Sequence, residues 1–239
     1  MNIFISFSGE AREQYAIQFM NFFNKFGLHC WYDQHELFLG DMLEKTIIEK
    51  GINLADYSVL IINQTYLERN WPCEEAVKLY NRSENENNCI IFPILLDITK
   101  EELAESSLSF LLNIKYQFLS SGNKIDNIAF QIMNRIFIDI VNQCKFKTFN
   151  DAIYFFKRLT LKDNINIYNA LNSIKNFQET NYKDKTIFLI CITILFDCNP
   201  FKKTITEISY LIFENSNITF DIYKIVESIF LITSSAYFD

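Results

Sequence analysis

Short apolar runs and amphipathic stretches alternate over the first 145 residues. Each run is short enough for a buried strand, and the stretches between the runs carry apolar residues at helical spacing. The predicted strands cover residues 3–7, 28–32, 57–62, 90–95 and 116–119, and the predicted helices cover 12–26, 41–54, 73–80, 100–111 and 125–144. We interpret the polar segments 63–70 and 83–88 as connections. This alternation predicts an α/β fold, a doubly wound five-stranded parallel sheet with the flavodoxin-like order 2-1-3-4-5.

The residues after 145 show a different pattern. Apolar positions recur there every three to four residues, which is typical of helices. The five helices predicted from this spacing cover residues 149–161, 165–177, 185–196, 205–213 and 220–232. All five glycines lie before residue 123, and a long glycine-free stretch favours helices joined by polar loops. We therefore predict two domains, an α/β domain over 1–145 and an all-α domain of about five helices over 146–239.

Charge separates the same two parts of the chain. The net charge of −7 belongs to residues 1–145, which hold 12 Lys and Arg against 19 Asp and Glu, whereas the remainder is balanced. A basic footprint for a phosphate backbone is missing, which argues against nucleic acid as a partner. The most apolar segment, 187–196, is about half as long as a membrane-spanning helix, so no membrane partner is expected.

Cysteine and histidine usage excludes several kinds of chemistry. Six cysteines form no Cys-x-x-Cys pair, and the amino-terminal segment lacks the pattern of a secretion signal, so we expect a cytoplasmic protein with reduced thiols. The two histidines, His29 and His35, give poor support for a zinc site or a His-based triad, and we expect no metal. Neither the Gly-x-Gly-x-x-Gly pattern nor the P-loop occurs, which argues against a dehydrogenase or a nucleoside triphosphatase.

The predicted strand order indicates where a ligand binds. In such sheets the ligand crevice lies beyond the carboxyl ends of the first and third strands, where the winding direction reverses. The segments expected there are 7–10, after the first strand, and 63–75, after the third. The loop 33–40, after the second strand, flanks the same crevice.

These three segments carry a resemblance to a known family. Residues 3–12 (IFISFSGEAR) resemble the first signature of Toll/interleukin-1 receptor (TIR) domains, and residues 31–41 (WYDQHELFLGD) are similar to the second, on the BB loop. Residues 66–75 (YLERNWPCEE) resemble the segment that carries the catalytic glutamate in NAD-cleaving members. Pro72 departs from the family, which often has Cys after the tryptophan, but the spacing from Trp71 to Glu75 is preserved.

The resemblance implies a set of site residues. It makes Glu75 the catalytic carboxylate and assigns substrate contacts to Phe7, Ser8, Asp33, Leu37 and Trp71. Neighbouring residues on a helix point roughly 100° apart, so only one of Glu74 and Glu75 can face the crevice.

Each of these residues also has an ordinary structural interpretation. Glu75 is compatible with a solvated glutamate near a helix start, and Trp71 with a core residue. Phe7 and Ser8 suit the end of a strand, and Asp33 the start of a turn. Leu37 and Phe38 are alternatively exposed apolar residues for self-association through the BB loop. For Arg12, a structural ion pair is the preferred interpretation over a phosphate contact.

The function implied is cleavage of NAD⁺ at the nicotinamide–ribose bond, with NAD⁺ as substrate and no cofactor. The enzyme would be a glycohydrolase or cyclase that either depletes NAD⁺ or makes an ADP-ribose-derived signal, in bacterial anti-phage defence of the Thoeris type. Expected partners are copies of the same chain, through the TIR domain or the helical domain, and a downstream effector that reads the nucleotide product. The alternatives are a non-catalytic TIR–TIR adaptor or virulence-type scaffold, and a TIR domain that serves only to polymerise.

Overall fold

The structure, a computed structural model, describes residues 1–9, 11–31, 39–40, 42–86, 89–158, 162–178, 181–196, 199–214 and 218–238. It divides into two compact units, Met1–Ala129 and Phe130–Asp239. The predicted domain boundary between residues 145 and 146 is a different statement, because it says which segments would fold independently. It stays a prediction.

A five-stranded parallel sheet forms the centre of the first unit. Its strands are β1 (Asn2–Ser6), β2 (His29–Trp31), β3 (Tyr57–Ile62), β4 (Ile90–Leu96) and β5 (Gln117–Leu119). They are arranged in the order β2-β1-β3-β4-β5, and every neighbouring pair is parallel. All residues of β3 are buried, as expected for a central strand covered on both faces. The predicted fold class and strand order are confirmed.

Helices connect the strands of this sheet. They are α1 (Ile17–Lys25), α2 (Leu43–Thr46), α3 (Gln64–Glu68), α4 (Asn70–Glu86), α5 (Lys100–Glu105) and α6 (Asp126–Val141), with π-helical segments at Arg12–Ala16 and Ile47–Ile52 and a 3₁₀ turn at Ser109–Asn113. Helix α6 contains the division between the two units.

Two helices differ from the sequence prediction. Residues 63–70 were predicted as a connection but include α3, because the side chain of Asn63 accepts a hydrogen bond from the Tyr66 amide and caps that helix. Helix α4 begins before the predicted start, since Pro72 is tolerated in a first turn whose N–H groups have no intrahelical partner. It also runs through most of the predicted loop 83–88, because polar residues are compatible with an exposed helix.

The described part of the second unit beyond residue 145 is helical. Its helices are α7 (Phe149–Arg158), α8 (Lys162–Ser173), α9 (Tyr182–Ile194), α10 (Lys202–Glu214) and α11 (Phe220–Tyr237), with a 3₁₀ turn at Ile174–Asn176. Helix α11 is buried along most of its length, and the rings of Phe149 and Phe196 lie 6.0 and 6.4 Å from the ring of Phe230. The predicted all-α region is confirmed. Over the described ranges, no helix is both long and apolar enough to cross a membrane.

Candidate active site

A cavity of about 450 Å³ lies at the carboxyl ends of the central strands. Its lining comes from β1 and the turn after it, from the end of β2, from the start of the second π-helical segment, and from residues 69–75. Of these last, residue 69 joins α3 to α4 and the others belong to the first turns of α4. The lining residues are Phe4, Ile5, Phe7, Ser8, Gly9, Trp31, Ile47, Arg69, Asn70, Trp71, Pro72 and Glu75. The cavity therefore occupies the position at which the strand order predicted a ligand crevice.

Glu75 is the carboxylate of this cavity. It lies on α4 and is 7% exposed, whereas the adjacent Glu74 side chain is 56% exposed and pairs with Lys78 one turn further along. A buried carboxylate is retained in proteins when hydrogen bonds stabilise its charge or when it has a functional task. The helix thus directs one of the two neighbouring glutamates into the cavity, and that one is Glu75.

A chain of hydrogen bonds holds this carboxylate from beneath. The Ser6 hydroxyl donates to Glu75 Oε2 over 2.5 Å, and the Ser6 Oγ lies 2.8 Å from the Tyr66 hydroxyl oxygen. Because the single Ser6 proton is directed at Glu75, the Tyr66 hydroxyl must be the donor of the second bond. Burial and the neighbouring Glu75 charge raise the pKa of Tyr66 well above its ordinary value, so its phenol keeps this proton.

Ser8 ties the turn after β1 to the start of α3. It is buried, and its hydroxyl donates to Asn63 Oδ1 over 2.8 Å. The same Asn63 oxygen accepts from the Tyr66 amide over 2.9 Å. The Ser8 hydroxyl proton is therefore engaged within the protein, although the residue lines the cavity as predicted.

The two ends of the cavity differ in chemistry. At one end the rings of Phe4 and Trp31, which pair across β1 and β2, stack with centroids 5.3 Å apart. At the other end the guanidinium of Arg69 lies against the turn after β1. It is so close to Gly9 that a Cβ added to that residue would lie 3.6 Å from the guanidinium. Ser6 lies two residues along β1 from Phe4 and holds Glu75 between these ends. The order along the cavity is apolar, acidic and basic.

The structure brings together four of the six predicted site residues. Phe7, Ser8, Trp71 and Glu75 all line the cavity. Trp71 also packs against the hydrophobic core, with Lys78 Nζ 5.4 Å from its ring centroid, so it combines the two roles considered for it. Asp33 and Leu37 lie outside the described residues, as do Glu10 and Phe38. The functional roles of all six residues stay predictions.

Sequence reasoning assigned no role to Ser6, Tyr66, Trp31 or Arg69. Ser6 was recognisable as the polar residue on the Phe4 side of an otherwise apolar strand, and Tyr66 lies within the third motif. Arg69 lies within the segment 63–75 already expected at the crevice, and Trp31 lies just before the loop 33–40 that flanks it. What the sequence does not reveal is their mutual approach, which depends on how three separate segments converge.

The fold and this cavity define an α/β protein with a carboxylate-centred site at the switch point of its sheet. Residues 3–131, more than half of the chain, match the family model described as TIR domain. The chain belongs to the TIR domain family.

Several curated proteins are similar to the same part of the chain. NAD(+) hydrolase TcpC of Escherichia coli O6:H1 is 30% identical over 106 residues, which cover 44% of this chain and 34% of that protein. The 2' cyclic ADP-D-ribose synthase BtTIR of Bacteroides thetaiotaomicron is 31% identical over 133 residues, 56% of this chain and 45% of that protein. NAD(+) hydrolase TcpA of a Theionarchaea archaeon is 31% identical over 133 residues, 55% and 39% respectively. The chain spans less than half the length of each of these relatives.

Proposed function

We propose that this protein cleaves NAD⁺ at the bond between nicotinamide and ribose. The observation that carries the proposal is the buried Glu75 carboxylate, held by Ser6 at 2.5 Å and lining a cavity with an apolar end and a cationic end. The names of the similar TIR proteins, which include NAD(+) hydrolases and cyclic ADP-ribose synthases, support the same reaction.

Cleavage of this bond requires one carboxylate. When the bond from C1′ to the nicotinamide nitrogen breaks, its electron pair stays on that nitrogen and the ribose becomes oxocarbenium-like. Glu75 stabilises the positive charge and accepts hydrogen bonds from the ribose hydroxyls. Nicotinamide leaves as a neutral molecule, so no general acid has to protonate it. The C1′ centre is then captured by water or by an oxygen of the ADP-ribose itself.

The shape of the dinucleotide matches the order of groups along the cavity. The planar nicotinamide ring suits the end formed by Phe4 and Trp31, with Trp71 as an aromatic wall. The scissile bond lies beside Glu75, and the pyrophosphate reaches the Arg69 guanidinium, which suits phosphate oxygens. This local arrangement is needed because the residues up to 145 carry the whole net charge of −7, which repels the dianionic pyrophosphate of the substrate.

Ser6 acts as a positioning residue in this proposal. We expect Ser6→Ala to lower turnover by roughly 10- to 100-fold, because a hydrogen bond to a charged group contributes about 1.5–3 kcal/mol and each 1.4 kcal/mol or so is a factor of ten in rate. The carboxylate also loses a donor that stabilises its charged form, so the decline of activity at acidic pH moves to higher pH. The measurement is the pH profile of kcat/KM for nicotinamide release.

Tyr66→Phe is the matched variant for this prediction. It keeps the ring and removes the hydroxyl that donates to Ser6, so its effect should be smaller and should nearly vanish in the Ser6→Ala background. A uniform loss with an unchanged pH profile would show that Ser6 contributes only to packing.

The fate of the product divides the proposal further. Capture by water gives ADP-ribose and depletes NAD⁺, whereas internal capture gives a cyclic signal for a downstream effector. We place the protein in the bacterial cytoplasm, in anti-phage defence, with self-association through the BB loop or the helical region. The competing function, a non-catalytic TIR–TIR adaptor, needs the BB loop surface but gives no reason for a buried, hydrogen-bonded Glu75.

The experiment is incubation of the purified chain with NAD⁺, followed by chromatography of the products. Because self-association is part of the proposal, the protein is assayed from dilute to concentrated and with a crowding agent. Nicotinamide should appear in equal amounts with ADP-ribose or with an isomer of cyclic ADP-ribose. If no nicotinamide forms under any of these conditions, the adaptor function replaces the enzymatic one.

A further inference from the structure

The basic end of the cavity carries an accessible guanidinium. Arg69 lines the cavity and is exposed, in contrast to Glu75, which lines the same cavity and is buried. Among the described residues, no carboxylate forms an ion pair with Arg69. Because a guanidinium carries five N–H donors and no acceptor, an accessible one at the rim of a cavity is suited to binding an anionic group of a ligand.

The turn after β1 sets the orientation of this guanidinium. A Cβ added to Gly9 would lie 3.6, 3.7 and 3.8 Å from Nη2, Nη1 and Cζ of Arg69. Three nearly equal distances mean that the flat face of the guanidinium, rather than its N–H edge, covers Gly9. All N–H bonds of a guanidinium lie in its plane, so they run past the turn instead of pointing into it. The donor edge therefore remains accessible to a ligand in the cavity that both residues line.

Arg69 and Glu75 are close to each other along both walls of the cavity. The six-residue interval between them lies almost wholly in α4, so it rises by only about 9 Å along the helix. On the opposite wall, Ser6 donates to Glu75 and Gly9 is covered by Arg69. Three residues separate Ser6 from Gly9, so their Cα atoms are at most about 11 Å apart. With the nicotinamide ribose at Glu75, the phosphate attached to that ribose is therefore the one that reaches Arg69.

The described lining matches one half of a dinucleotide. The cavity volume of about 450 Å³ lies in the lower part of the range of small-molecule sites, about 300–1,000 Å³. Phe4 and Trp31 give an anionic phosphate no compensation for its lost hydration, so their end suits the nicotinamide ring. Glu75 and Arg69 are the charged residues of the described lining, and the ribose and its phosphate engage both. These three parts together are nicotinamide mononucleotide.

We propose that Arg69 binds the phosphate of the nicotinamide ribose, and that the chain therefore also cleaves free nicotinamide mononucleotide, NMN⁺. This inference rests on the proposed NAD⁺ cleavage and adds a second substrate at the same site. The C1′–N bond breaks with its electron pair on nitrogen, the oxygen of a water molecule forms the new bond to C1′, and one proton of that water passes to solvent. The products are nicotinamide and ribose 5-phosphate. NMN⁺ has no adenosine half to capture C1′, so water is the acceptor whichever product NAD⁺ gives.

Three substrates with the same scissile bond test this assignment. They are NAD⁺, NMN⁺ and nicotinamide riboside, which lacks the phosphate. We expect the wild-type kcat/KM for NMN⁺ to exceed that for the riboside at least about tenfold, because charge-assisted hydrogen bonds from a guanidinium to the phosphate hold the ribose beside Glu75. Chromatography should show nicotinamide and ribose 5-phosphate in equal amounts. A smaller difference between NMN⁺ and the riboside would show that the phosphate is not recognised, and would overturn the proposal.

Arg69→Gln removes the charge of the proposed phosphate ligand. It should lower kcat/KM by roughly 10- to 100-fold for NAD⁺ and NMN⁺, and by less than about twofold for the riboside, since strong hydrogen bonds to phosphate are lost only with the first two. Each comparison is variant against wild type on one substrate, so the different reactivities of the substrates cancel. An equal loss on all three would mean that Arg69 supports the fold or Glu75 and binds no phosphate.

Arg135→Gln is the matched control. It makes the same change of charge at an exposed arginine outside the cavity lining, where Arg135 pairs with Asp139 over 3.0 Å. Its kcat/KM should stay within about twofold of wild type on every substrate, since an exposed ion pair contributes little. If Arg135→Gln also lowers the rates for the two phosphorylated substrates alone, the effect belongs to the overall charge of the protein, and the assignment to Arg69 is wrong.

The two levels of the proposal fail differently. If the wild-type chain releases no nicotinamide from any of the three substrates, at high protein concentration and with a crowding agent, the proposed function fails. If it cleaves NAD⁺ but treats NMN⁺ like the riboside, the NAD⁺ activity stands and the mononucleotide assignment is wrong.

Discussion

Replacing Glu75 with glutamine is expected to lower the rate of nicotinamide release by about 10²–10³-fold, the usual cost of removing one preorganised electrostatic group. This corresponds to about 3–4 kcal/mol in the activation free energy. Glutamine preserves the size of the side chain and can still accept the hydrogen bond from Ser6. What it lacks is the negative charge that stabilises the oxocarbenium-like ribose. The loss should therefore lie mainly in kcat, with a small change in KM.

Glu74→Gln is the matched control for this result. Glu74 is the adjacent residue on the same helix, and its side chain is 56% exposed and absent from the cavity lining. The same change of charge there should leave the rate within about twofold of wild type, since an exposed ion pair contributes little. Both variants are assayed by chromatography of nicotinamide at saturating NAD⁺. Equal rates for the two variants would exclude Glu75 from the chemistry.

The second large effect concerns the stability of the helical region. We expect Phe230→Ala to lower the free energy of unfolding by about 3–5 kcal/mol, because removing a fully buried aromatic ring leaves a cavity. Phe230 is completely buried in α11, with the rings of Phe149 and Phe196 beside it. The measurement is denaturant unfolding followed by far-ultraviolet circular dichroism.

Phe213→Ala provides the comparison for Phe230. It removes the same side chain from the neighbouring helix α10, but Phe213 is 89% exposed. Its removal should change the free energy of unfolding by less than about 0.5 kcal/mol. If the two substitutions cost the same, the burial of α11 described above is wrong.

The strands and their order could be predicted because the sequence signal for each strand is local. Each strand is a short apolar run, and alternation with helices leaves few parallel arrangements, so the order β2-β1-β3-β4-β5 followed from the sequence. The extent of α4 did not follow, because residues 83–86 have polar side chains that suit a loop as well as an exposed helix. Polarity alone does not distinguish the two.

The part of the candidate site that lies within one motif could be predicted from the sequence. Spacing from Trp71, together with helical geometry, favoured Glu75 over Glu74, and the structure directs Glu75 into the cavity. The support beneath Glu75 was not predicted, because Ser6 and Tyr66 are 60 residues apart and meet only when β1 and α3 come together. Among the described residues the buried Trp31 indole N–H has no hydrogen-bond partner, which is likewise a result of packing that no pattern in the sequence predicts.

Both tryptophans of the chain line the candidate cavity. The tryptophan fluorescence of the protein, excited at wavelengths that tyrosine does not absorb, therefore arises entirely from its proposed substrate site, without background from the helical region. An electron-poor pyridinium ring placed between Trp31 and Trp71 would quench this emission, and departure of neutral nicotinamide would relieve part of the quenching. The unlabelled protein thus carries its own optical probe, with which binding and release of the base can be followed in real time.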